Sequence, residues 1–178
     1  MKALLIHHEL TVSQLETERL ILIPYTKELC KALNNGNYHC IEKLGLKAAQ
    51  GWPDEEFLET LHKIVINLSK VDRPTGFESW MIVRKDTKEL IGDAGFKGFN
   101  SILKSCDLGY GIVESHRKQG FALEATKALV DWALSHSYVE KITAACLKNN
   151  LASQKILQHL HFKNESESDD MYFWELYK

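Results

Sequence analysis

The sequence predicts a mixed α/β domain, with an antiparallel strand meander feeding a strand–helix–strand crossover and helices on both faces of one mostly antiparallel sheet. Three observations predict it. Apolar runs at about 78–84, 90–96 and 105–113 are separated by short polar turns, which joins neighbouring strands antiparallel. A helical pattern beyond residue 120 leads into the apolar run Lys141–Leu147, a passage that closes a parallel, right-handed crossover and sets that strand beside 105–113. Earlier in the chain Phe57, Leu58, Leu61, Ile64, Val65 and Leu68 fall on one helical face.

Taken in order, residues 1–14 show no clear period and read as a loosely held arm. Arg19–Ile23 forms a first strand that Pro24 ends. A helix from about Thr26 to Leu33 follows, with Thr26 as N-cap, and Asn34-Asn35-Gly36-Asn37 breaks it. Residues 38–51 read as loop with a short helical turn. Trp52-Pro53-Asp54-Glu55-Glu56 starts the next helix, because proline suits the first helical position and three acids complement the helix dipole. Asp72-Arg73-Pro74-Thr75-Gly76 turns the chain into the meander, whose connections are Lys85–Lys88 and Ser101–Lys104. After the polar turn Glu114–Gly120, the central helix presents Phe121, Ala125, Ala128, Leu129, Trp132 and Ala133 on one face. Glu124, Lys127, Asp131 and Ser135 lie on the other. Asn149 or Asn150 caps a last helix to about Leu160, and strands at about 161–165 and 170–177 finish the sheet. No repeat, linker or domain boundary interrupts the 178 residues, which read as one domain.

Hydrophobic content of 44%, charged content of 26% and a formal net charge of −2 are those of an ordinary globular chain. No global basic field exists to recruit nucleic acid or an anionic membrane, so neither is an expected partner. The run Ala3–Ile6 is too short for a signal peptide, and no stretch approaches a membrane span; the expectation is a cytoplasmic monomer or homodimer. Cys30, Cys40, Cys106 and Cys146 show no Cys-x-x-Cys spacing and are expected as free, at least partly buried thiols, with no metal bound. Without secretion the sequon Asn164-Glu165-Ser166 goes unused.

The stretch 107–133 carries the chemistry. Asp107-Leu108-Gly109-Tyr110-Gly111-Ile112-Val113 is a strand, and the turn behind it opens a helix. The first amides of a helix have no intrahelical partner and sit at the positive end of its dipole, so they bind anions. A diphosphate can rest on the amides of Arg117, Lys118, Gln119, Gly120, Phe121 and Ala122, with Gly120 allowing close approach of the backbone and Arg117 and Lys118 adding charge. Alone, the pattern fits equally a glycine that relaxes a turn beside two solvated cations. The strand before it and the amphipathic helix after it lift it above that.

These residues resemble the acetyl-coenzyme A signature of the GCN5-related N-acetyltransferases (GNAT superfamily). The wording Leu108-Gly109-Tyr110, then Arg117-x-x-Gly120-Phe121-Ala122-x-Glu124-Ala125, is similar to the branch of the ribosomal-protein alanine N-acetyltransferases. Leu15–Leu22 resembles that branch's opening strand, and Asn150-x-x-Ser153-x-Lys155-Ile156-Leu157 its late helix. Two departures stand out: His161 where a Gly usually precedes the Phe, and Ile23 for a common Arg.

The resemblance implies the same fold and an acyl-CoA-dependent transfer of acetyl from acetyl-CoA, as co-substrate, to a primary amine in a ternary complex. The acceptor is a protein N-terminus or a small-molecule amine; the alternative is a coenzyme-binding module that has lost catalysis. It implies that strands 105–113 and 140–147 splay, and that the backbone of Tyr110, Gly111 and Ile112 binds the pantetheine arm as an added strand. Ser153 is implied near the coenzyme sulfur, as proton donor or as hydrogen-bond partner, and Asn150 and Lys155 against pantetheine and phosphate. For the base that takes the amine proton, Asp107 is the leading choice over Glu78 and Asp93, beside a water relay with no dedicated base. Tyr110 either lines the acceptor pocket or packs beneath the motif. The acids Glu165, Glu167, Asp169 and Asp170 form a solvated hairpin tip or border the acceptor entrance.

Overall fold

The computed structural model describes Val12 and residues 14–178, so the arm expected over 1–14 lies almost wholly outside the described residues. The strands are β1 (Leu15–Glu16), β2 (Leu20–Pro24), β3 (Lys47–Ala48), β4 (Ser79–Arg84), β5 (Glu89–Asn100), β6 (Ser105–Ile112), β7 (Lys141–Leu147), β8 (Lys163–Glu167) and β9 (Met171–Tyr177). The helices are α1 (Lys27–Asn34), α2 (His39–Glu42), α3 (Glu55–Ser69), α4 (Phe121–Ser135) and α5 (Leu151–His159). One sheet runs β1-β2-β4-β5-β6-β7-β9-β8, with β3 added on β5. Its neighbours are antiparallel except β6 with β7 and β3 with β5. This is the mixed architecture the meander and the crossover require.

Local chemistry sets the ends of the elements. Thr26 caps α1 by accepting the Leu29 amide at 3.2 Å. Asp54 caps α3 by accepting the Phe57 amide at 2.9 Å, so Pro53 stands before the cap, behind a cis peptide bond, rather than at the first helical position. β5 extends to Asn100, beyond the expected end near residue 96, because a bulge between Phe96 and Phe99 lets the ladder with β6 resume. α5 ends with His161 at φ 65°, the His161 amide on the Gln158 carbonyl and the Phe162 amide on that of Leu157, each at 3.0 Å. That is a Schellman closure, in which the left-handed position usually falls to glycine.

α4 covers one face of the sheet. Trp80 meets Trp132 edge-on at 5.8 Å, and the Arg84 guanidinium lies 5.5 Å over the Phe121 ring. Strand alternation turns Met81 and its cross-strand partner Asp93 to the opposite face, where α1 and α3 pack and Tyr25 stacks on Phe57 at 5.9 Å. Buried apolar residues fill both layers, from Leu20 and Leu22 to Leu129 and Ala133.

Glu124 corrects the sequence expectation. It does not sit on a solvated helix face; its carboxylate accepts the Thr17 hydroxyl at 2.5 Å, the Arg19 amide at 2.8 Å and Arg19 Nε at 2.7 Å. Burial works to raise its pKa, but these donors outweigh it and hold the carboxyl below the usual range. Arg19 also donates to the Gln119 carbonyl at 2.9 Å and lies 4.5 Å over Phe121. The opening strand and the helix start are thereby one unit.

His161→Gly removes the side chain from a left-handed position, and the relief exceeds the added freedom of the unfolded chain. The expected gain is about 1 kcal/mol in urea unfolding, with an unchanged slope; a loss would show that the imidazole makes a compensating contact.

Candidate active site

β6 and β7 pair only from Ser105↔Lys141 to Leu108↔Ala144. Beyond that, β6 stays with β5 to Ile112 and β7 stays with β9 to Leu147, so the strands part. The Val113 amide donates to Ile91 at 2.9 Å, which aims the backbone of Gly111 at β5 and, by alternation, that of Tyr110 and Ile112 into the gap. One of those groups is taken: the Ile112 carbonyl accepts Arg117 Nε at 2.7 Å.

A cavity of about 650 Å³ passes through the parting. On the α3 face its walls include Trp52, Asp54, Glu56 and Asp93; on the other they include Asn150, Ser153 and Leu157, with Gly109, Tyr110 and Gly111 between. Tyr110 and Ser153 act as a pair, their hydroxyls 2.8 Å apart. Burial pushes the phenol up to about 12, with the Ser153 hydrogen bond acting in the other direction. Asn150 caps α5, accepting the Ser153 amide at 3.0 Å, while lining the cavity. Lys155 is exposed one turn further on.

Past Val113, which lines the cavity, the chain makes a single 3₁₀ turn, Glu114–His116, and enters α4 through Gly120 at φ 83°. Lys118 is also left-handed, at φ 60°. The Glu124 amide donates to the Gly120 carbonyl at 3.0 Å, but the amides of residues 118–123 find no acceptor among the described residues. Arg117, Lys118, Gln119 and Gly120 are exposed there, and Ala122 is half-buried. Phe121 is not a surface contact; it is buried at the helix start beneath Arg19 and Arg84.

The three carboxylates weighed as base have separate surroundings. Asp107 shares Asp93's face but lies four residues before Gly111, about 13 Å along the strand. It pairs with Lys97 and accepts the Thr143 hydroxyl at 2.8 Å, within a second depression outside the lining of the cleft. Glu78 is buried and braces its turn, accepting the Thr75 amide at 2.8 Å, the Thr75 hydroxyl at 2.9 Å and the Gly76 amide at 3.2 Å. Burial raises its pKa. Asp93 lies in the cleft opposite Gly111, without an ion pair among the described residues. Burial first, then the charges of Asp54 and Glu56, push it up to about 7.

Sequence reasoning missed the weight of Asp93 and the pairing of Tyr110 with Ser153. The signal for Asp93 was a lone carboxylate in the apolar, glycine-flanked run Ile91-Gly92-Asp93-Ala94-Gly95. Asp54 and Glu56 reach the cleft through the packing of α3, which no local pattern announces. The acidic residues of the β8–β9 hairpin are exposed and outside the lining.

Residues 19–163 match the acetyltransferase (GNAT) domain family. The uncharacterized N-acetyltransferase YjdG of Bacillus subtilis (strain 168) is 36% identical over 160 residues, 90% of this chain and 95% of that protein. The chain belongs to the GNAT acetyltransferases. It is an N-acetyltransferase, and its fold is that of the family. The ribosomal-protein-S5-alanine acetyltransferase of Vibrio fischeri superposes with a TM-score of 0.66 at 16% identity, covering 93% of this chain and 97% of that one. The microcin C7 self-immunity acetyltransferase MccE, solved with acetyl-CoA and AMP, superposes with a TM-score of 0.65 at 15% identity, covering 95% and 98%. At these identities the two structures share the fold with this chain. No helix among the described residues is long and apolar enough to cross a membrane. All four cysteines are free.

An aspartate with a raised folded pKa holds a proton that the unfolded chain releases at lower pH. Between about pH 4 and pH 7 the folded state therefore binds more protons, and stability falls as pH rises through that window. Asp93→Asn removes this dependence. The expected result is that the variant gains on the wild type by an amount that grows from pH 4 to pH 7 and is constant above; a constant difference throughout would show that Asp93 titrates normally.

Proposed function

We propose that this GNAT enzyme transfers acetyl from acetyl-CoA to a primary amine, directly, in a ternary complex that spans the parted strands. The observation that carries this reading is the cavity running through the sheet between β6 and β7. Past Val113, which lines it, lie amides with no acceptor among the described residues, and the backbone of Tyr110 and Ile112 faces the gap. Two substrates can then meet from opposite faces, which direct transfer requires.

Each part of the chain has a role in this reading. The amides of 118–122 and the side chains of Arg117 and Lys118 hold the diphosphate, with Gln119 and Gly120 shaping the turn. Gly120 is essential because a side chain there is strained at φ 83° and its Cβ would stand 3.3 Å from the Arg19 guanidinium. Tyr110 and the Ile112 amide hold the pantetheine arm by backbone pairing, Gly111 leaves room for it by lacking a side chain, and Asn150 adds its amide; the exposed Lys155 serves a phosphate.

The arriving ammonium gives a proton to Asp93, directly or through water, and the neutral nitrogen attacks the thioester carbonyl carbon. Backbone N–H groups facing the gap stabilise the oxyanion. The C–S bond breaks as the amide forms. With its phenol near 12, the Tyr110–Ser153 pair keeps its protons at neutral pH and hydrogen-bonds the departing sulfur, which receives through water the second proton that the nitrogen sheds on becoming an amide. A non-catalytic module would not need a raised carboxyl in the cavity that this pair also lines. Asp107 stands in the reading only as the partner of Lys97 and Thr143.

Two measurements test it. Calorimetry is expected to give micromolar acetyl-CoA binding to the wild type and at least about a hundredfold weaker binding to a folded Gly120→Glu variant; absence of wild-type binding would overturn the proposal. In steady-state assays, kcat/KM is expected to rise with pH through about 7. Asp93→Asn should lower it roughly a hundredfold and remove that rise, while Asp107→Asn changes it by less than about threefold. The reverse order would return the role to Asp107.

A further inference from the structure

The α3 half of the cleft carries more negative charge than a single amine needs. Asp54, Glu56 and Asp93 all line it, and none of the three has an ion pair among the described residues. Two cations share the lining. Lys97 is engaged by Asp107, which leaves Lys63 against three carboxylates. An amine must be neutral to attack, so Asp93 can take one proton; Asp54, which caps α3, and the exposed Glu56 then face Lys63 alone, which leaves one negative charge in excess.

A second, independent feature lies in the same wall. Trp52 is only 7% exposed, yet its indole N–H finds no acceptor among the described residues. Buried donors are normally satisfied, and this one belongs to a residue lining the cleft. The ring packs between Phe57, at 5.5 Å, and Tyr38, which meets it edge-on at 6.3 Å.

We propose that this half of the cleft is a subsite for an amine acceptor carrying a second positive charge, with an oxygen of the acceptor taking the Trp52 indole hydrogen. The inference rests on the acetyl-transfer reading above and adds the substrate class. Glu56 and Asp54 set the charge preference, and Trp52 reads the oxygen next to the reacting amine.

Argininamide and citrullinamide test the charge, since each has one reactive amine and one carbonyl beside it and they differ chiefly in the guanidinium. Wild-type kcat/KM is expected to favour argininamide by about tenfold or more, with the ratio shrinking in about 0.5 M salt. In Asp54→Asn/Glu56→Gln, which keeps a capping oxygen for Phe57, the ratio falls to within about twofold. Unaltered acetyl-CoA affinity shows that this variant is folded. Agmatine keeps both charges without the carbonyl and is expected to fall about tenfold below argininamide. Equal rates for argininamide and citrullinamide, a preference that survives the double substitution, or turnover of neither amide overturns the charge subsite. Parity of agmatine with argininamide overturns the Trp52 contact. Coenzyme binding measured alongside separates the two readings: binding without charge preference sinks only the subsite, and absence of binding sinks both.

Discussion

Backbone pairing between β6 and β7 joins the two halves of the sheet, and everything at the site depends on its stopping at Leu108 and Ala144. Each strand keeps its other neighbour, β5 for β6 and β9 for β7, so neither half loses its ladder when they part. What is lost is confined to the two facing edges, that of β7 beyond Ala144 and that of β6, where Tyr110 and Ile112 turn polar backbone toward the gap. A buried edge without partners is ordinarily costly. Here the Arg117 side chain takes one carbonyl, and the rest opens on a cavity large enough for a ligand.

The helix start shows the same economy. Left-handed backbone at Lys118 and Gly120 turns the chain so that a run of amides points outward, and the Arg19–Glu124 contact fixes that turn from behind. Arg19 bridges three things at once: the Glu124 carboxylate, the Gln119 carbonyl and the Phe121 ring. The two stretches carrying the family resemblance at either end of this contact, around residues 15–22 and 117–125, are therefore physically one feature.

Much of this was legible in the chain alone. Strand meander, crossover and helix caps rest on local chemistry, and Thr26 and Asn150 cap the helices that their sequence positions mark. Elements whose partners lie far away were not legible. The Glu124 side chain reads as solvated on a helical wheel because its donors come from the other end of the chain, and β5 runs on because a bulge restores its pairing. The weight given to Asp107 followed from motif spacing, which locates a residue along a strand but says nothing of Lys97 or Thr143 beside it. Asp93 reads in sequence as one of several strand acids; only packing of α3 over it distinguishes its surroundings.

The contact between Arg19 and Glu124 also has a bearing on how the protein comes into being. Its two ends are separated by 105 residues, so during synthesis the opening strand leaves the ribosome long before its carboxylate partner exists. β2 can meanwhile pair with β4, but the turn at Gly120 has nothing behind it until α4 emerges. Such distant pairings are slow to form. Shape at the anion-binding turn is thus among the last properties the nascent chain acquires, and a polypeptide cut short before α4 lacks the Glu124 anchor altogether.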